Sequence, residues 1–401
     1  MDSARRNLLI LIGALLSLGL VMVYSASFVA AEKRFGSPTF FLERHCIYLL
    51  AGCIAFAVGA LTDYHQLARK WPWLLVFALG LLVMVLVPGL GEKLNGARRW
   101  FRFGPLTLQP SEVAKPLLIV GLAGWAISRR DLIGRFGAGF LPGAALAGSA
   151  VLLVALEPDL GTAALLVAVL GSILVASGVR LIHVLPALVV AVPAGAICAW
   201  SRLGYIQARV AEFLSATPDP LGRGYQVTQA LIAQGSGGLM GTGIGQGNAK
   251  LLFLPEAHND FIFALIGEEM GLIGALAVIG CFALLVWHGW QIAQSAPDLL
   301  GRLIALGVTL MVGLQAAMNM AVVTRLMPTK GISLPLISYG GSSLVFTLFA
   351  LGLLLNIAAH RQPTQPIEVT RRPDRDSVAI AVPTRRLTPV NHSAISHACR
   401  H

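Results

Sequence analysis

Residues 7–28 read NLLILIGALLSLGLVMVYSASF, a run without a single Asp, Glu, Lys or Arg. A helix rises about 1.5 Å per residue, so about 20 apolar residues cross a ~30 Å hydrocarbon layer. This run is long enough to span a bilayer, and it sets the solvent for the rest of the chain. Working outward, apolar runs of similar length recur at roughly 45–62, 72–90, 112–128, 140–156, 161–178, 182–200, 260–290, 302–324 and 341–359. The expected fold is all-α: a polytopic integral membrane protein of about ten transmembrane helices. The run at 260–290 is long enough to tilt or to begin outside the bilayer.

Composition agrees. The 401 residues are 56% apolar and 12% charged, where a soluble domain carries about 25% charged residues. Mean hydropathy is +0.74. No soluble core hides so much apolar surface. A soluble enzyme, a disordered protein and a nucleic-acid-binding module are excluded. The net charge of +11 comes from basic residues between apolar runs and after His360, positions that set topology and meet anionic headgroups. The five cysteines are scattered and give neither a disulfide framework nor metal-ligand spacing. The first apolar run is too long for a cleavable signal peptide.

An even number of spans puts both termini on one side, and Arg5, Arg6 and the arginines after His360 make that side cytoplasmic. Residues 1–360 then form the transmembrane domain and 361–401 a disordered basic cytoplasmic tail. Two connections are unusual: 91–111, and 201–259 with no long apolar run. Their basic residues run against the topological bias, which suits contact with an anionic ligand. Within the second, GSGGLMGTGIGQG (235–247) matches neither a P-loop nor a dinucleotide fingerprint and is expected to be a flexible external loop.

Ionisable residues at membrane depth mark candidate sites. In Gln109-Pro110-Ser111-Glu112-Val113-Ala114-Lys115, Ser111 suits a helix N-cap. Glu112 and Lys115 share a helix face, as a structural ion pair, a cavity wall meeting phosphate, or both. Arg98, Arg99, Trp100 and Arg102 fit an interfacial aromatic belt with snorkelling arginines as well as a grip on pyrophosphate. Glu157-Pro158-Asp159 closes an apolar run, with Asp159 placed to cap the next helix. Glu256, His258 and Asp260 crowd another surface, with Glu268 and Glu269 deeper. Asp260 reads as a helix cap or as a carboxylate at the edge of a low-dielectric cavity, where a general base is tuned. Lys330, Ser338 and Ser342 lie in a Pro- and Gly-broken stretch at membrane depth, tolerated only where it is buried in protein or lines a cavity. Gln315 and Asn319 either face that cavity or hold helices together.

In this order NGARRW, QPSEVAK, EPDLGTA, LPEAHNDFIFALIGEE and LPLISYGGSS, with the opening GLVMVYSAS, resemble the SEDS family (shape, elongation, division, sporulation) over about residues 7–360. VMVYSAS and Ala257 are more similar to the division member than to the elongation member. The resemblance implies a peptidoglycan glycosyltransferase that polymerises lipid II, the undecaprenyl-pyrophosphate disaccharide-peptide. It implies a class B penicillin-binding transpeptidase of the FtsI type and other divisome membrane proteins as partners. It also implies a multi-pass place in the bacterial inner membrane, at the septum. The family's essential Asp falls on Asp260, and its cavity Glu and Lys on Glu112 and Lys115.

On that basis Asp260 is the expected base of an inverting displacement, with Lys115, oriented by Glu112, and Arg98 and Arg99 at the leaving pyrophosphate. No nucleotide cofactor is required; a divalent cation, Mg or Mn, is an option at the pyrophosphate. A lipid II flippase is the alternative, since multi-span bundles with intramembrane charges are also what transporters look like.

Overall fold

The structure is a computed structural model. It describes residues 3–94, 97–103, 106–180, 182–183, 213, 225–248, 250, 258–328 and 331–360. The span expected at 182–200 falls outside these except for its first two residues, as do most of 201–259, Glu256, Lys330 and the 361–401 tail.

The described elements run α1 (Ser3–Phe35), α2 (Phe40–Leu61), α3 (Tyr64–Arg69), α4 (Trp71–Leu86), β1 (Glu92–Leu94), β2 (Ala97–Phe103), β3 (Leu106–Leu108), α5 (Pro110–Ser128), α6 (Leu141–Leu156) and α7 (Leu160–Ala176). They continue with α8 (Tyr225–Ser236), α9 (Ile262–Gln294), α10 (Leu299–Val323) and α11 (Gly341–Ala359). Seven helical stretches are long and apolar enough to cross a membrane, and α4 and α7 are shorter apolar helices. These nine match the expected spans in order; the chain is a polytopic all-α membrane protein.

The helices sort by burial. In α5, 83% of the apolar window is buried, against 17% in α2, so α5 is the central post and α2 faces lipid. Along α2, Ile47, Leu50, Ile54, Val58 and Leu61 form one exposed apolar stripe. Its other face carries Gly52 and Gly59. A Cβ on Gly59 would stand 2.4 Å from the Phe349 carbonyl oxygen, and one on Gly352 would stand 2.2 Å from that of Phe56. Small residues let the α2 and α11 backbones touch, the packing that works where lipid offers no hydrophobic drive between helices.

Residues 91–111 hold the one departure from helix among the described elements. β1, β2 and β3 form an antiparallel sheet in that order, with Phe101 opposite Leu108 and Arg102 opposite Thr107. The run Arg98-Arg99-Trp100-Phe101 sets two charges before two rings, and the register of β2 against β1 shifts there, with Trp100 opposite Glu92 and Arg98 opposite Lys93.

α9 is broken. Gly271 has φ +69 inside its 33 residues, and the broken turn is completed from outside. The Gly235–Gly247 stretch, expected as a flexible loop, is instead the end of α8 followed by a turn laid against α9. Thr242 N–H donates to the Glu268 carbonyl at 2.9 Å and Gly243 N–H to that of Glu269 at 3.0 Å; Leu272 N–H donates back to Gly238 at 2.9 Å. Its glycines are small because the backbones nearly touch: a Cβ on Gly241 would meet the Glu269 oxygen at 2.2 Å. Backbone groups freed by the break need such partners where water is scarce.

Candidate active site

Four connections meet at one end of the bundle: the sheet, the α6–α7 turn, the approach to α9, and the 331–340 stretch before α11. Arg99 ties the sheet to the α6–α7 turn, donating Nε–H to the Glu157 carbonyl at 2.7 Å and a second N–H to that of Pro158. Gln109 N–H donates to Ser342 Oγ at 3.1 Å. Tyr339 N–H donates to the His258 carbonyl at 3.0 Å. The Phe41, His258 and Tyr339 rings pack together, with centroids 4.5 to 5.6 Å apart. The opposite end is tied separately, by Asp298 with His65 and Tyr64.

α5 begins at Pro110, whose missing N–H and fixed φ suit a first helical position. Its N-cap is Gln109. The Ser111 cap is therefore corrected: Pro110 starts the helix one residue earlier and carries Ser111 inside it, where Oγ is buried without a partner. Glu112 and Lys115 follow, both buried, 2.7 Å apart. The approach is close but off-line, so Glu112 Oε2 has a charge partner and no hydrogen bond. Lys115 also donates to Gln315 Oε1 at 2.7 Å.

Gln315 passes the connection on, its amide donating to the Ser333 carbonyl at 3.2 Å. One turn further along α10, the Asn319 amide donates to the Ile332 carbonyl at 2.6 Å and to the Asp260 carbonyl at 2.8 Å. Gln315 and Asn319 thus both bind the broken 331–340 backbone, and Asn319 also holds Asp260. A continuous chain runs from Glu112 through Lys115, Gln315, Ser333, Ile332 and Asn319 to Asp260. The Asp260 side chain lies against Gly331, where a Cβ would stand 3.0 Å from Oδ2. α9 starts two residues on, with Phe261 at its N-cap position, so Asp260 does not cap it. The 331–340 stretch is itself held: Ser338 Oγ accepts Leu334 N–H at 2.9 Å. Leu336, at φ +66, is packed beneath Gly19 of α1.

Asp159 caps α7 as expected, accepting the Thr162 N–H at 3.1 Å and its hydroxyl at 2.8 Å. Glu157, two residues before it, is fully buried with neither carboxylate oxygen hydrogen-bonded. Burial first, and then the Asp159 charge, push its pKa up to about 8; Arg99 partly opposes them. Arg98 and Trp100 lie on β2, opposite Lys93 and Glu92 of β1. Arg102 is used up front, pairing with Glu92 at 2.9 Å.

Among the described residues, five of the ten unpartnered buried polar atoms lie on these segments: Ser111 Oγ, Glu112 Oε2, both Glu157 oxygens and Asn319 Oδ1. Such groups are rare in folded proteins, and each calls for a reason. Also among the described residues, no three His, Cys, Asp or Glu side chains come together as metal ligands. The cation considered at the pyrophosphate has no donor set of that kind there.

Sequence reasoning missed a second buried cluster. Lys250 Nζ meets Glu269 Oε1 at 2.8 Å, and Ser25 of α1 reaches both Glu269 oxygens at 2.7 and 2.8 Å. The available signals were a Ser in the first span and a Glu two turns into the eighth, with nothing to say that they meet.

Residues 6–363 match the family described as cell cycle protein, FtsW/RodA/SpoVE. A protein of Trichlorobacter lovleyi named probable peptidoglycan glycosyltransferase FtsW is 46% identical over 353 residues, 88% of this chain and 92% of that one. Among solved structures, a chain from a peptidoglycan synthase complex that coordinates polymerization and crosslinking is 31% identical. It has a TM-score of 0.71, over 88% of this chain and 97% of that one. The rod shape determining protein RodA of Thermus thermophilus is 30% identical with a TM-score of 0.64, over 89% and 97%.

Proposed function

Because the chain belongs to the FtsW/RodA/SpoVE family, we propose that it is a peptidoglycan glycosyltransferase that polymerises lipid II in the bacterial inner membrane, with the site end outside and both termini cytoplasmic. The observation that carries the reading is the hydrogen-bonded chain joining the buried Glu112–Lys115 pair to Asp260 through Gln315 and Asn319. It joins the backbone of Asp260 to the Lys115 ammonium, which supports a reading in which one carboxylate and one ammonium act together.

Asp260 takes the proton of the acceptor 4-hydroxyl as its oxygen attacks the anomeric carbon of the donor. The new carbon–oxygen bond forms as the bond to the pyrophosphate breaks, so an α-linked donor gives a β-1,4 link. Lys115 donates one N–H to Gln315, keeps Glu112 as its charge partner, and turns its remaining N–H groups to the departing pyrophosphate. Glu112 holds the ammonium in place. Arg98, on β2 near Trp100, is a second phosphate contact. Ser338, Ser342, His258, Lys330 and Glu157 belong to the surround of the substrate rather than to the transfer. The similarity to division-named relatives supports a septal role, with an FtsI-type class B transpeptidase and other divisome proteins as partners.

The test compares the full chain with its Asp260→Ala variant, purified with the transpeptidase whose own active site is blocked, on labelled lipid II resolved by gel. Polymer from the parent and none from the variant is the expected result. Polymer from both removes Asp260 as the base. None from either, with lipid II crossing a liposome bilayer instead, replaces the polymerase by a flippase.

A further inference from the structure

The Lys250–Glu269 pair brackets the segment that presents Asp260. Lys250 precedes Asp260 by ten residues and Glu269 follows it by nine. Both are buried, at 4% and 1% exposure, so their contact closes the chain into a loop with Asp260 near its middle. The loop is pinned to two other elements. Ser25 of α1 contacts both Glu269 oxygens and accepts from Lys250 at 3.2 Å, and the Lys250 ammonium sits 5.2 Å from the centre of the Phe28 ring, also on α1. The turn after α8 adds Gly245 N–H to Glu269 Oε2 at 3.0 Å and Asn248 N–H to Glu268 at 2.6 Å.

Every oxygen of Glu269 is engaged by the protein, and so is the ammonium of Lys250. Two Lys250 N–H groups go to Glu269 and Ser25 and the ammonium also faces the Phe28 ring, so the cluster is occupied by protein groups. It lies just before the break at Gly271, which separates the first turns of α9 from the rest of that helix. Those first turns carry Phe261, Ile262 and, immediately before them, Asp260.

We propose that Lys250 and Glu269 are positioning residues: a clasp against α1 that fixes the Asp260 segment relative to Lys115. The proposal rests on the reading of Asp260 as the base. A salt bridge kept only for stability would leave turnover alone once a neutral pair of similar size replaced it. A clasp that sets geometry would not, because a displacement of about 1 Å at the reacting groups costs on the order of 10²-fold in rate.

The experiment uses the full chain with its blocked transpeptidase and labelled lipid II, comparing the parent, Lys250→Arg, and the double variant Lys250→Met with Glu269→Gln. Hydrogen–deuterium exchange of peptides over 258–266 and 300–320 is read alongside kinetics. For the double variant the expected result is a kcat lower by about 10²-fold with KM within about twofold. Exchange rises over 258–266 and stays unchanged over 300–320, and Lys250→Arg recovers most of the rate. Unchanged exchange over 258–266 overturns the clasp. So does a rise in KM at full kcat, or exchange raised equally in both peptides, which is general loosening. A parent that makes no polymer refutes the function proposed for Asp260, and the exchange readout then decides the clasp separately.

Discussion

Among the described residues two lysine–glutamate pairs are buried, and they are surrounded differently. Around Glu269 and Lys250, hydroxyl, backbone N–H and ring complete the coordination from three elements. Around Glu112 and Lys115, the pair is close but off-line, Ser111 Oγ beside Glu112 in the chain has no partner, and neither has Asn319 Oδ1 one turn beyond Gln315. A saturated pair is a strut. An unsaturated one, kept in a place where solvation is costly, is poised for something the protein does not itself provide.

The contrast can be broken most sharply at its chemical end. Asp260→Ala should lower polymerisation by ~10²–10⁴-fold, the usual cost of losing a general base, while the protein still inserts and melts normally. A parallel fall in melting temperature would turn Asp260 into a structural residue. Next comes the strut. Lys250→Met leaves Glu269 buried and unpaired, and should destabilise the solubilised protein by about 3–5 kcal/mol. Lys115→Met likewise leaves Glu112 buried without its charge partner and should cost a similar ~3–5 kcal/mol. It should weaken use of the pyrophosphate donor more than Lys115→Arg does. Thermal unfolding would check both costs, a donor titration on the same preparations would separate the two, and an equal loss of donor use in both would erase the distinction drawn between the pairs.

The smallest effect is a matter of pH. Glu157 has its pKa raised from 4.5 to about 8 by burial and by Asp159, so between those values the folded state holds a proton the unfolded chain has released. Its contribution to stability is fully present below about pH 4.5 and falls as the pH rises towards about 8. Glu157→Gln, which mimics the protonated acid, should flatten that stretch of the stability–pH curve and change little at acid pH. A curve of unchanged slope would mean that Glu157 is ionised throughout.

Much of the frame was legible because hydropathy reports depth. Runs such as 7–28 and 341–359 have to be spans, and the structure has helices there. Chemistry at fixed spacing was legible too: Glu112 with Lys115 at i,i+3, Asp159 before Thr162, and Gln315 with Asn319 on one face of α10. What the sequence hid was partnership between distant segments. Ser25 and Glu269 are 244 residues apart, and no local period relates them. The sheet at 92–108 was hidden by its short strands, and Ser111 was misplaced because Pro110 also favours a helix start. The glycines of 235–247 were read as freedom, since glycine is the residue of loose connections as well as of close contacts.

That last stretch has a consequence for how the gene can drift. Gly235 has open space around it, whereas a methyl group on Gly237 would fall 2.0 Å from the Gly267 carbonyl oxygen and one on Gly241 2.2 Å from that of Glu269. Neighbouring glycine codons are therefore under opposite constraint. A library of single substitutions would keep alanine at the first and discard it at the others, so what reads as low-complexity filler is inherited letter by letter.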